Sequence, residues 1–235
     1  MNWVRGDLLG SGSFATVNNI ATHTNNFNNF PSITAVKSSD TYYSHLLQNE
    51  KQILDCLGSS PHIIKCFGDD HTFEDGEEGY NIFLEYAAGG TLSDQLKNYG
   101  GKLPETLVRR YTRSVLKGLK HVHGNGFVHC VVKLQNILVL EDGNVKISDF
   151  GLAKKKGLKN NGKLECRGTP MFISPEVVNN SVYESPGDIW ALGCAVVEMV
   201  TGKPAWNFSG SNIWSLLIRI GVGEELPLIP DELSH

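Results

Sequence analysis

Several side chains in this sequence are suited to handling phosphate. Gly10-Ser11-Gly12, followed by Ala15 and Val17, forms a glycine-rich turn whose bare backbone could cover phosphate groups. Ordinary turns share that composition. Lys37 ends a β-rich run, Ile33-Thr34-Ala35-Val36, and could supply a cation. Glu50 shares a helical stripe with Leu46, Leu47, Ile53, Leu54 and Leu57, which recur at spacings of three and four. An unpaired carboxylate on such a face is costly, so Glu50 needs a cation, and Lys37 is the upstream candidate. Asp149-Phe150-Gly151 adds a carboxylate, in a tripeptide that also arises by chance.

These groups need elements to position them. Tyr80–Tyr86 is patterned as a buried strand, and Ala87-Ala88-Gly89-Gly90 follows as a flexible connector. Leu107, Tyr111, Val115, Leu119 and Val122 mark a helix that stops at Gly124. Ile137–Leu140 and Val145–Ile147 form a hairpin around Glu141-Asp142-Gly143-Asn144. Asp188–Thr201 is a helix apolar nearly all round, closed by Gly202, and it belongs in a core. Residues 25–31 read as an exposed loop between strands. Strands fill the first third and helices the rest, giving an α+β chain in two lobes.

Composition narrows the function classes. The chain has 235 residues, with 21 Lys+Arg against 25 Asp+Glu. That length buries a full core, roughly 70% of the unfolded surface. The weakly acidic balance argues against a nucleic-acid partner, which calls for a clustered basic surface. The longest apolar stretch, Ile189–Val200, is interrupted by Glu198 and falls short of the ~20 residues of a membrane span, so no membrane insertion is expected. Five cysteines (Cys56, Cys66, Cys130, Cys166, Cys194) include no C-x-x-C pair and read as free thiols. With no hydrophobic leader at the N-terminus, the expected location is intracellular: the cytoplasm, with the nucleus as a second compartment.

Order and spacing join the separate motifs. The glycine loop, Ala35-Val36-Lys37, Glu50, His129-Cys130-Val131-Val132-Lys133-Leu134-Gln135-Asn136, Asp149-Phe150-Gly151 and Ser174-Pro175-Glu176 follow one another along the chain. This series resembles the serine/threonine protein kinase catalytic domain. The form of residues 129–136, Gly168-Thr169-Pro170-Met171-Phe172 and the segment 85–94 are similar to plant mitogen-activated protein kinase kinase kinases of the MEKK type. The resemblance implies ATP and Mg²⁺ as ligands and a protein substrate, such as a MAP kinase kinase. It implies an N-lobe over 1–84, a hinge over 85–90 and a C-lobe over 91–235. It places Lys37 on the ATP phosphates, fixed by Glu50, with Asn136 and Asp149 on magnesium and Lys133 near the transferred phosphate. Phe150 would pack under the helix of Glu50. Gly10, Ser11, Gly12 and Ala15 would cover the phosphates. Leu84 would be the gatekeeper, Glu85, Tyr86 and Ala87 would offer backbone groups to adenine, and Val17, Ala35 and Leu138 would sandwich the ring. Packing alone would demand similar residues at those last three positions. Thr169 would lie where the substrate hydroxyl is received.

The sequence departs from the resemblance in three places. Val131 stands where the family carries the aspartate that accepts the substrate hydroxyl's proton. Such general-base catalysis is worth ~10²–10⁴-fold, so transfer is expected to be strongly impaired while nucleotide binding is kept. A pseudokinase acting as a nucleotide-binding scaffold or competitor is the alternative. Cys130 replaces an arginine that anchors activation-loop phosphate. Last, the family continues beyond a segment like residues 227–235. The C-lobe is expected to lack its last helices, leaving Glu176 without an arginine and the 188–201 helix partly uncovered, with marginal stability or aggregation as the result.

Overall fold

The computed structural model describes residues 3–23, 31, 33–74, 76–157, 169–208, 212–223, 226–227 and 230. Cys166, Gly168, most of the 25–31 loop and most of the segment 227–235 lie outside the described residues.

Alternating and β-branched residues in the first third build one antiparallel sheet. Its strands are β1 (Trp3–Ser11), β2 (Thr16–His23), β3 (Thr34–Asp40), β4 (Cys66–Glu74) and β5 (Glu77–Glu85), in the order β1-β2-β3-β5-β4. The run expected to end at Lys37 continues to Asp40, so Lys37 sits mid-strand, with Val17 and Ile82 as cross-strand neighbours. Helix α1 (Ser44–Leu57) lies against this sheet and buries Leu47, Glu50, Ile53, Leu54 and Leu57. Leu46 of the expected stripe is only half-buried. The opposite face of the sheet carries a second small core, in which Trp3 meets Phe83 edge-on at 5.4 Å beside Val36.

The remainder is mostly helical: α2 (Leu92–Asn98), α3 (Glu105–Gly124), α4 (Pro175–Asn180), α5 (Ser185–Thr201) and α6 (Ile213–Val222). The fold is therefore the α+β arrangement expected, a β-rich lobe with one helix beside a helical lobe. Helix α5 starts a turn earlier than Asp188 because Pro186 sits in its first turn, where a fixed φ and a missing N–H cost nothing. Two small ladders lie between α3 and α4. β6 (Phe127–Val128) pairs with β9 (Lys154–Lys155), and β7 (Ile137–Val139) with β8 (Val145–Ile147). A single core cluster runs through both lobes, from Ala35 and Leu84 through Leu134 and Ile147 to Met199.

Candidate active site

Three elements converge on Lys37. β3 carries it, α1 presents Glu50, and the turn after β8 presents Asp149. Lys37 Nζ lies 2.7 Å from Glu50 Oε2 and 2.8 Å from Asp149 Oδ1. Burial alone would pull the Lys37 ammonium down, but Glu50 and then Asp149 outweigh it, and its pKa is raised. Glu50 is fully buried, which pushes its carboxyl up against the pull of Lys37 and of the Phe150 N–H. At Asp149 desolvation also pushes upward, yet Lys37, with smaller help from Lys133, holds that carboxyl below its ordinary value. Phe150 is fully buried and donates its N–H to Glu50 Oε1 at 3.1 Å.

The loop after β6 is fixed from below. Asp188, in the first turn of α5 and 1% exposed, accepts the N–H groups of His129 and Cys130, each at 2.9 Å. Cys130 takes φ 69°, a left-handed conformation rare outside glycine, and these two bonds help hold it there. Val131 donates its N–H to His129 Nδ1 at 3.3 Å, so the His129 proton is on Nε2, which donates to the Ser148 carbonyl at 3.0 Å. Asn136 Nδ2 donates to the Val131 carbonyl at 2.8 Å. The Val131 side chain is itself buried, 7% exposed. Lys133 Nζ reaches Thr169 Oγ1 at 3.3 Å.

The apolar candidates converge as well. Ala35 pairs with Leu84 across β3 and β5, and Val17 and Leu138 pack against the same cluster. Gly10 pairs with Val17 and Ser11 with Thr16, and the Gly12 N–H closes the turn on the Ala15 carbonyl at 2.9 Å. Glu85 donates its N–H to the Lys65 carbonyl, while its carboxylate pairs with Lys146 at 2.7 Å. Its N–H is therefore already engaged. The Ala87 carbonyl accepts from Gly90 at 3.1 Å.

The sequence matches the protein kinase domain family over residues 3–220. The chain belongs to the protein kinase family. It is 53% identical to mitogen-activated protein kinase kinase kinase 20 of Arabidopsis thaliana, over the whole of this chain and 70% of that protein. It is 43% identical to kinase 17 of the same series and organism, over the whole chain and 62% of that protein. The human mitogen-activated protein kinase kinase kinase 3 is 34% identical, over the whole chain and 38% of its length. This is therefore a serine/threonine kinase domain similar to the MAP kinase kinase kinases.

Protein kinases use ATP and Mg²⁺, and the donor set here fits both. Asn136 spends its amide N–H on Val131, which leaves its carbonyl oxygen for a cation. That oxygen and the Asp149 carboxylate are the hard ligands Mg²⁺ takes, with phosphate and water completing its shell. Nothing lies within 4 Å of where a Cβ on Gly10 would stand, so the loop has room above it for phosphate.

Two site residues were not singled out from the sequence. Asp188 shows only as an acid at a helix start. Asn49, beside Glu50, donates to the carbonyls of Gly151 at 2.9 Å and Ala153 at 3.0 Å, and more weakly to that of Phe150 at 3.4 Å. An amide inside an otherwise ordinary helix was the available signal.

Proposed function

We propose that this kinase domain binds Mg-ATP but transfers the γ-phosphate to protein serine or threonine at a strongly reduced rate. The observation that carries the proposal is Val131, an alkyl side chain among otherwise complete ligands. Lys37 would neutralise the α- and β-phosphates, oriented by Glu50. Asn136 and Asp149 would hold Mg²⁺, which supplies charge neutralisation at the phosphates. Gly10, Ser11, Gly12 and Ala15 would cover the phosphates, and Val17, Ala35, Leu84 and Leu138 would enclose the adenine, with Glu85 and Ala87 beside it. Lys133, bonded to Thr169, would sit between the transferred group and the incoming hydroxyl.

In the transfer, the substrate oxygen forms a bond to the γ-phosphorus as the bond to the β-phosphate oxygen breaks. The hydroxyl proton must leave. A carboxylate at position 131 would orient the hydroxyl and take that proton, and valine has no acceptor. Losing a general base costs ~10²–10⁴-fold, or about 3–5.5 kcal/mol of barrier. The loose transition state of phosphoryl transfer needs little proton removal early, which leaves room for residual turnover.

The relatives are by name kinases of MAP kinase kinases, and we propose that class as the protein substrate. The chain covers 62% to 70% of the two plant relatives described above, so features of the whole proteins come with that proposal. An intracellular setting belongs to the same reading. No described helix is long and apolar enough to cross a membrane.

Val131→Asp is the test, with Mg-ATP binding and transfer to a MAP kinase kinase measured for both chains. The variant is expected to bind nucleotide as the native chain does and to transfer about 10²-fold faster or more. Equal rates would sink the missing-base argument. If neither binds nucleotide, the ATP reading falls. If both bind and neither transfers, the domain is a pseudokinase that acts by occupying partners, a reading Val131 also favours.

A further inference from the structure

Two adjacent residues on α1 grip one peptide segment from both sides. Glu50 Oε1 accepts the Phe150 N–H at 3.1 Å. The Asn49 side-chain amide donates to the carbonyls of Gly151 and Ala153, and weakly to that of Phe150. The helix and this segment approach closely, since a Cβ on Gly151 would come within 3.4 Å of the Leu46 carbonyl. The gripped segment begins directly after Asp149, whose φ of 66° is a left-handed conformation that an aspartate holds only when its surroundings enforce it.

Asparagine is a weak helix former, because its side chain competes for backbone groups. At position 49 that tendency is turned outward, onto the backbone of another element. Modification cannot do the same work from within the segment. From Phe150 to Gly168 the sequence has no serine, threonine or tyrosine, so no phosphate can form there to order it.

We propose that Asn49 is a positioning residue for the metal-binding carboxylate. By fixing the carbonyls after Asp149, it holds that carboxylate in register with the Lys37–Glu50 pair. One helix then carries the partner of the phosphate-binding lysine and the tether of the metal ligand. A rotation of α1 would disturb both together.

The inference rests on the reading of Asp149 as a Mg²⁺ ligand, and the experiment separates the two. ATP affinity is measured with Mg²⁺ and in EDTA, on the full chain, for wild type, Asn49→Asp, Asn49→Ala and the exposed helix control Gln48→Ala. Asn49→Asp keeps the shape and replaces donors with acceptors. Its Mg²⁺-dependent gain in ATP affinity is expected to fall about tenfold, the usual effect of losing a group that orients a metal ligand. Affinity in EDTA should stay the same, with Asn49→Ala following Asn49→Asp and Gln48→Ala following wild type. Amide exchange at residues 150–156 should quicken in both Asn49 variants while α5 stays protected. If the variants melt lower but keep the full Mg²⁺-dependent gain, Asn49 is only structural and the inference is overturned with the ATP reading intact. If wild type shows no Mg²⁺-dependent binding, the proposed function fails first. In that case the exchange data alone decide the tether, and unchanged exchange at 150–156 refutes it.

Discussion

Lys37 stands between two carboxylates in unequal surroundings. Glu50 is fully buried, whereas the Asp149 side chain is 42% exposed and partly screened by solvent. The lysine therefore matters more to Glu50. Lys37→Met would leave a buried carboxylate without its cation, a loss of about 3 kcal/mol or more. Burial already pushes Glu50 up, and without Lys37 it would rise further. An acid whose pKa is raised by folding holds its proton longer in the native state, so native stability falls as pH climbs from its unfolded value toward its raised folded one. The gap in melting temperature between wild type and Lys37→Met is thus expected to be wider at pH 8 than at pH 5, by thermal unfolding at both. An equal gap at the two values would mean that Glu50 is not the group left exposed to the cost. This pair was legible in the sequence, because an acid on an apolar stripe demands a cation. The Lys146–Glu85 bridge was not, since neither residue breaks a local pattern.

At the scale of elements, the connector between the lobes is set by contact with the β7–β8 hairpin. Gly89 donates its N–H to the Val139 carbonyl at 2.9 Å, and Val139 donates its own to the Gly90 carbonyl at 2.8 Å. A Cβ on Gly89 would stand 2.8 Å from that Val139 oxygen and 2.9 Å from its side chain. Gly89→Ala must push the connector off the hairpin that carries Leu138, and it is expected to cost about 1–3 kcal/mol and to weaken ATP binding. Gly124→Ala, at the end of α3 with nothing within 4 Å of the new methyl, is the matched control and should be neutral or slightly stabilising. Comparable losses in the two, by denaturant unfolding, would refute the close approach. The sequence marked Gly89 as part of a flexible joint. Its actual constraint is a partner 50 residues away.

At the scale of the whole molecule, bare apolar surface gathers on α6 more than on the expected helix. On α5, Ala191, Leu192, Cys194, Ala195, Val197 and Met199 are buried, with Ile189 exposed. On α6, Leu216, Leu217 and Ile220 face inward, while Trp214, Ile218 and Val222, four residues apart, are 60%, 62% and 78% exposed. A contiguous apolar stripe of this kind promotes association. Trp214→Gln with Ile218→Lys is expected to raise the monomer fraction in size-exclusion chromatography. Being surface changes, the two should shift the melting temperature by no more than about 2 °C. Unchanged association would place the sticky surface elsewhere. Glu176 has no ion-pair partner among the described residues.

The order of the motifs was enough to determine the family and its two lobes. Each of these is a matter of residue type at a fixed place along the chain, and periodicity assigns faces to elements without reference to their neighbours. Only the tertiary structure decided how residues distant in sequence meet. Asn49 on the carbonyls of residues 151 and 153, Asp188 beneath His129 and Cys130, and Val139 against Gly89 are bonds to backbone groups, or contacts with them. Every residue carries the same backbone, so a sequence holds no local mark of which carbonyl or N–H a side chain will find.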